Sequence, residues 1–115
     1  MRPRDLLRDI KYVGEAEGDR KTYYVFETHS HFLVAGPTGK GGYYLNVVER
    51  EAPDVVAEEF KGRKVTSGTV KKSARRPDLF PNPFAALNTL YVMVALGLAR
   101  KLKQRVGKAM VFKIR

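Results

Sequence analysis

Not one of the 115 residues is a cysteine. That absence excludes a disulfide framework, a thiol nucleophile and every zinc site built on sulfur, and it suits a reducing cytoplasm. No apolar run of signal-peptide length follows Met1; the opening residues Arg2, Pro3, Arg4 and Asp5 are mostly charged, so a cytoplasmic location is expected. Long apolar runs are missing as well. The longest uncharged stretch, residues 79–99, is interrupted by Pro81, Asn82, Pro83, Asn88, Thr89 and Gly97. Crossing a bilayer takes about 20 predominantly apolar residues, so this stretch reads as a buried helix and no membrane partner is expected. A chain of this length suits one compact domain or two very small ones and is too short for a large catalytic scaffold.

Catalytic motifs are also absent. The segment from Gly36 to Gly42 carries four glycines around Lys40, but a phosphate-binding loop would need glycine at the position of Val34 and Ser or Thr at that of Gly41. It reads as a flexible hairpin loop. His29 and His31 share one side of an extended segment with Glu27 nearby, half of a metal site with no third firm ligand, so a surface turn is the expectation. Glu49, Glu51, Glu58 and Glu59 have no acid-base spacing, and no serine sits in a nucleophile motif. The sequence points to a protein without catalysis, cofactor or metal.

What is scarce in the second half is negative charge. Residues 1–60 hold 8 basic and 11 acidic side chains, whereas residues 61–115 hold 14 basic and a single acid, Asp78, a balance of −3 against +13. Solubility does not require charges to segregate in this way, and a field of that sign concentrates polyanions, chiefly nucleic acid.

The first 50 residues read as a small antiparallel sheet preceded by a short helix from Pro3 to Ile10, with Leu6, Leu7 and Ile10 as its apolar stripe. The strands are Tyr12 to Ala16, Thr22 to Glu27, Phe32 to Ala35 and Tyr43 to Val48, rich in β-branched and aromatic residues. Seven of the twelve aromatics lie here; exposed, they would stack single-stranded bases, but the acidic surroundings favour a small aromatic core. Over residues 51–115 the periodicity becomes helical. Pro53 opens a helix that Gly62 stops; Arg63 to Val65 is a short extended piece; Thr66 or Ser67 caps a second helix running to about Ala74. Asn82 and Pro83 open a third, from Phe84 to about Leu96, closed by Gly97. A hairpin follows, Leu98 to Gln104 and Ala109 to Arg115, around a loop from Arg105 to Lys108. The fold class expected is α+β.

From Ala52 to Arg115 the order of helix, short strand, helix, helix, strand, basic loop and strand resembles the winged-helix family, a helix-turn-helix variant. Val65, Thr66 and Ser67 before the second helix and Gly97, Leu98 and Ala99 before the wing carry the likeness. The resemblance implies that the third helix enters the major groove and that the hairpin loop touches the backbone. The candidate nucleic-acid-binding residues are then Arg100, Lys101, Lys103, Arg105 and Lys108 on and beside the wing, and Lys71, Lys72, Arg75 and Arg76 at the end of the second helix. Asn88 and Thr89 are the groups of the third helix able to hydrogen-bond a base edge.

The third helix departs from the family's pattern. Leu87, Leu90, Tyr91, Val94 and Leu98 form a core face, yet the opposite side carries Val92 and Leu96 beside Ala85, Asn88 and Thr89. Such a side suits coverage by the sheet or by a second copy, making a homodimer through this helix, better than a wet groove. Binding is therefore expected through charge and shape, with duplex DNA as the first partner and a transcriptional or chromatin-associated role. An RNA- or ribosome-associated protein, or a protein-interaction module docking through the third helix, are the alternatives.

Overall fold

Residues 9–115 are described by the computed structural model, an α+β fold in which a four-stranded antiparallel sheet precedes three helices and a C-terminal β-hairpin. The helix expected from Pro3 lies outside the described residues, save its last two positions. The sheet is a meander of β1 (Lys11–Glu17), β2 (Thr22–Glu27), β3 (His31–Pro37) and β4 (Tyr43–Glu49) in sequential order. Its turns are held by local hydrogen bonds: the Gly18 N–H donates to Lys21 O at 2.8 Å, and the Thr28 hydroxyl accepts from the His31 N–H at 3.0 Å. The glycine-rich segment is a hairpin loop, as expected, pinned by the Thr38 hydroxyl, which accepts from the Gly42 N–H at 3.1 Å.

Each helix begins where its capping chemistry lies. Helix α1 (Ala52–Glu59) has Pro53 in its first turn. Thr66 caps α2 (Ser67–Ser73), accepting the Thr69 N–H at 3.1 Å while the Thr69 hydroxyl accepts the Thr66 N–H at 3.3 Å. Asn82 caps α3 (Pro83–Ala95), its side-chain oxygen accepting the Ala85 N–H at 2.9 Å. That helix ends in a Schellman motif: Gly97 adopts φ 79°, its N–H donates to Val94 O, and the Leu98 N–H donates to Met93 O at 2.8 Å. Between α2 and α3, where the sequence suggested only a loop, Pro77–Leu79 forms one turn of 3-10 helix.

The second sheet contains β5 (Lys64–Val65), β6 (Ala99–Val106) and β7 (Ala109–Ile114) in the order β5-β7-β6, all antiparallel. Its hairpin loop is tighter than expected. Val106 pairs with Ala109, leaving Gly107 and Lys108 as a two-residue turn, and Gly107 at φ 61° supplies the positive φ of a type II′ turn.

Helix α3 lies at the centre, packed against β1 to β4 and also against α1, α2 and β6. Val92 and Thr89 are buried, so most of the side opposite the expected core face is covered from within the chain, while Leu96 at its end stays 39% exposed. A helix that is hydrophobic all round belongs in an interior. Val25, Val34 and Val48 of the first sheet join Val56, Phe60, Phe112 and Ile114 in one contiguous core around it. Strand β1 crosses the end of α3 at Gly14, where a Cβ would lie 3.3 Å from Ala95 O. Among the described residues no helix is long and apolar enough to cross a membrane.

Candidate nucleic-acid interface

The inner face of the β5-β7-β6 sheet is apolar: Val65, Ala99, Phe112 and Ile114 are buried. Alternation along the strands turns Lys64, Lys113 and Arg100 to the other face. These three are direct cross-strand partners, Lys64 opposite Lys113 and Lys113 opposite Arg100. The row is partly tethered. Lys113 Nζ donates to Gly62 O at 2.6 Å, and Lys64 Nζ reaches across β7 to Gln104 Oε1 at 3.3 Å. Neither acceptor is a carboxylate, so neither bond is an ion pair. No carboxylate occurs anywhere in these three strands.

The candidate residues separate into groups. Lys71, Lys72, Arg100, Lys103 and Lys108 are exposed, and among the described residues none of them pairs with a carboxylate. Lys101 and Arg105 turn instead toward the β1-β2 turn: Lys101 Nζ donates to Gly18 O at 3.0 Å, and Arg105 forms an ion pair with Asp19. The hydrogen bond from Arg105 holds the Asp19 carboxyl below its usual range. Arg76 is clamped between Asp78 at 2.8 Å and Glu51 at 3.0 Å, which likewise lowers the Asp78 carboxyl. The Arg75 backbone N–H donates to Glu59 Oε1 at 2.7 Å, which places this residue beside an acidic group.

Asn88 and Thr89 are corrected most. They are only 8% and 1% exposed, covered by the fold around α3. Their side chains close back on their own helix, Asn88 Nδ2 donating to Phe84 O at 3.0 Å and the Thr89 hydroxyl to Ala85 O at 2.8 Å. That burial takes Asn88 and Thr89 out of reach of a base edge, and Val92, fully buried, is out of reach of a second copy. His31 Nε2 faces Glu49 at 3.6 Å across the β3-β4 pair, and among the described residues no three His, Asp or Glu side chains gather as for a metal.

Lys64 and Lys113 are the residues that sequence reasoning left out. Alternation along Ala109 to Arg115 sets Lys113 on the side opposite Met110, Phe112 and Ile114, but a two-residue strand such as β5 gives no periodic signal of its pairing partner. No protein family, curated protein or solved structure matches this chain.

Proposed function

We propose that this chain binds double-stranded nucleic acid through phosphate contacts on the outer face of the β5-β7-β6 sheet, with the exposed lysines of α2 and of the hairpin adding to the same attraction. The observation that carries the reading is the Lys64-Lys113-Arg100 row. Like charges directly opposite one another across strands destabilise a sheet, and nothing within this one offsets them. A polyanion laid across the row relieves the repulsion and releases its own counterions. Supporting a winged-helix reading of residues 52–115 are the element order and the pairing of β5 with β7. With α3 buried, recognition proceeds by charge and shape, as suits a chromatin-type or regulatory role on duplex DNA.

The test is titration of a labelled duplex at several salt concentrations. With six or more phosphates neutralised, affinity falls about a thousandfold between roughly 50 and 200 mM salt. Lys113→Glu weakens binding and lowers the salt slope by at least about one. Arg105→Gln, whose guanidinium already serves Asp19, changes both less. Failure to bind at low salt, or binding indifferent to Lys113→Glu, refutes the proposal; tighter binding to a folded RNA competitor transfers it from DNA to RNA.

A further inference from the structure

Strand β4 forms one edge of the four-stranded sheet and β1 the other. The two edges differ. Strand β1 carries Lys11, Glu15 and Glu17 and is irregular between Tyr12 and Gly14, features that discourage another strand from pairing. Strand β4 carries a single charge, Glu49, at its end. From Gly41 to Val48 there is no charged side chain, no proline and no break in register with β3.

The direction of the free backbone groups follows from the ladder. The Thr38 N–H donates to Gly42 O at 2.8 Å, so Thr38 and Gly42 form a hydrogen-bonded pair. Alternation then makes Gly36-Tyr44, Val34-Asn46 and Phe32-Val48 the hydrogen-bonded pairs of the β3-β4 register. The N–H and C=O groups of Tyr43, Leu45 and Val47 therefore point away from the sheet. Their side chains, on the face turned away from α3, are 60%, 55% and 51% exposed.

We propose that β4 pairs with β4 of a second copy of this chain, antiparallel and centred on Leu45, joining two sheets into one. A two-fold axis there sets Leu45 opposite Leu45 and Tyr43 opposite Val47, so apolar meets apolar and every outward backbone group at these three positions finds its complement. Glu49 of one copy comes to the β3-β4 turn of the other, which carries Lys40, so opposite charges meet at the ends. Arg50 comes to the same end as Lys40, and its charge is offset by Glu27 at 3.2 Å. This self-complementarity of pattern and charge selects a second copy over a foreign strand. The pairing stands independently of nucleic-acid binding and is tested without it.

Sedimentation of the native chain should give twice the monomer mass, and Leu45→Lys should halve it with the circular dichroism unchanged. The cysteine-free background allows a test of register. Directly opposed residues of a hydrogen-bonded pair have Cα atoms about 5.5 Å apart, a separation that a disulfide spans. Under mild oxidation Leu45→Cys should cross-link to itself, whereas Tyr43→Cys and Val47→Cys should cross-link only when mixed. Val106→Cys, 61% exposed on the other sheet, is the control for random collision. A native monomer at every soluble concentration, which would leave the edge to a foreign strand, overturns the proposal. So does a dimer that survives Leu45→Lys, or a Leu45→Cys that cross-links no faster than Val106→Cys.

Discussion

Tyr23 is placed by two residues that have no side chain. Its ring stacks on Tyr91 with centroids 4.4 Å apart, and a Cβ on Gly18 would come within 2.6 Å of it, a Cβ on Gly36 within 2.9 Å. The opposed ring of Tyr44 lies as close over Gly36, its cross-strand partner. Gly18→Ala should therefore cost roughly 1–3 kcal/mol, measured by urea denaturation, because the stacked ring has little room to retreat. Burial also raises the Tyr91 phenol above its ordinary value of 10.0, with Tyr23 adding to the shift. A phenol kept neutral in the fold contributes stability that is complete below pH 10 and is lost as the unfolded chain ionises above it. The urea midpoint should fall as the pH rises above about 10, and Tyr91→Phe should flatten that fall. From sequence the N-terminal aromatics could be assigned to a sheet but not to its faces, since the Tyr23-Tyr91 stack joins residues on different elements.

Among the elements, those with strong local chemistry were the legible ones. Asn82 before Pro83, Thr66 before a short helix and Gly97 after a long one each mark a boundary through a side-chain or backbone geometry that neighbours in sequence determine. Asn82→Ala should cost about 1 kcal/mol in thermal or urea unfolding, since it leaves an N–H of the first turn without its acceptor. The environment of α3 was only half legible. Its second apolar side signalled a cover, and the four-stranded sheet supplies it; the capacity of Asn88 and Thr89 to bond their own helix does not show in a helical wheel. Because Val92 is fully buried, Val92→Glu should unfold the chain, with circular dichroism lost and no folded monomer recovered.

For the molecule as a whole, the segregation of charge could be counted along the chain, but its cancellation could not. Asp19 and Arg105 are 86 residues apart and Glu51 and Arg76 are 25 apart, so acidic residues of the first half neutralise two of the cations assigned to binding. Of the cations left without a carboxylate, Lys64, Lys113 and Arg100 share the outer face of the small sheet, while Lys71 and Lys72 stand on α2. Moderate salt should accordingly stabilise the free protein: screening over about 10 Å at 0.1 M weakens the repulsion in the Lys64-Lys113-Arg100 row, and the urea midpoint should rise from low salt to that concentration. A midpoint that falls or stays flat would mean that the exposed ion pairs, weakened by the same screening, outweigh the row.

The central position of α3 bears on how such a protein can be cut or inherited. Its charge divides near the middle, which invites expression of residues 51–115 as a minimal binding unit. Such a fragment would strip the sheet from a helix built to be enclosed and would present fresh oily surface to water, so it should clump or recruit a surrogate cover. Evolution faces the same constraint: a gene encoding the basic half alone would carry the electrical property without the mechanical support it requires.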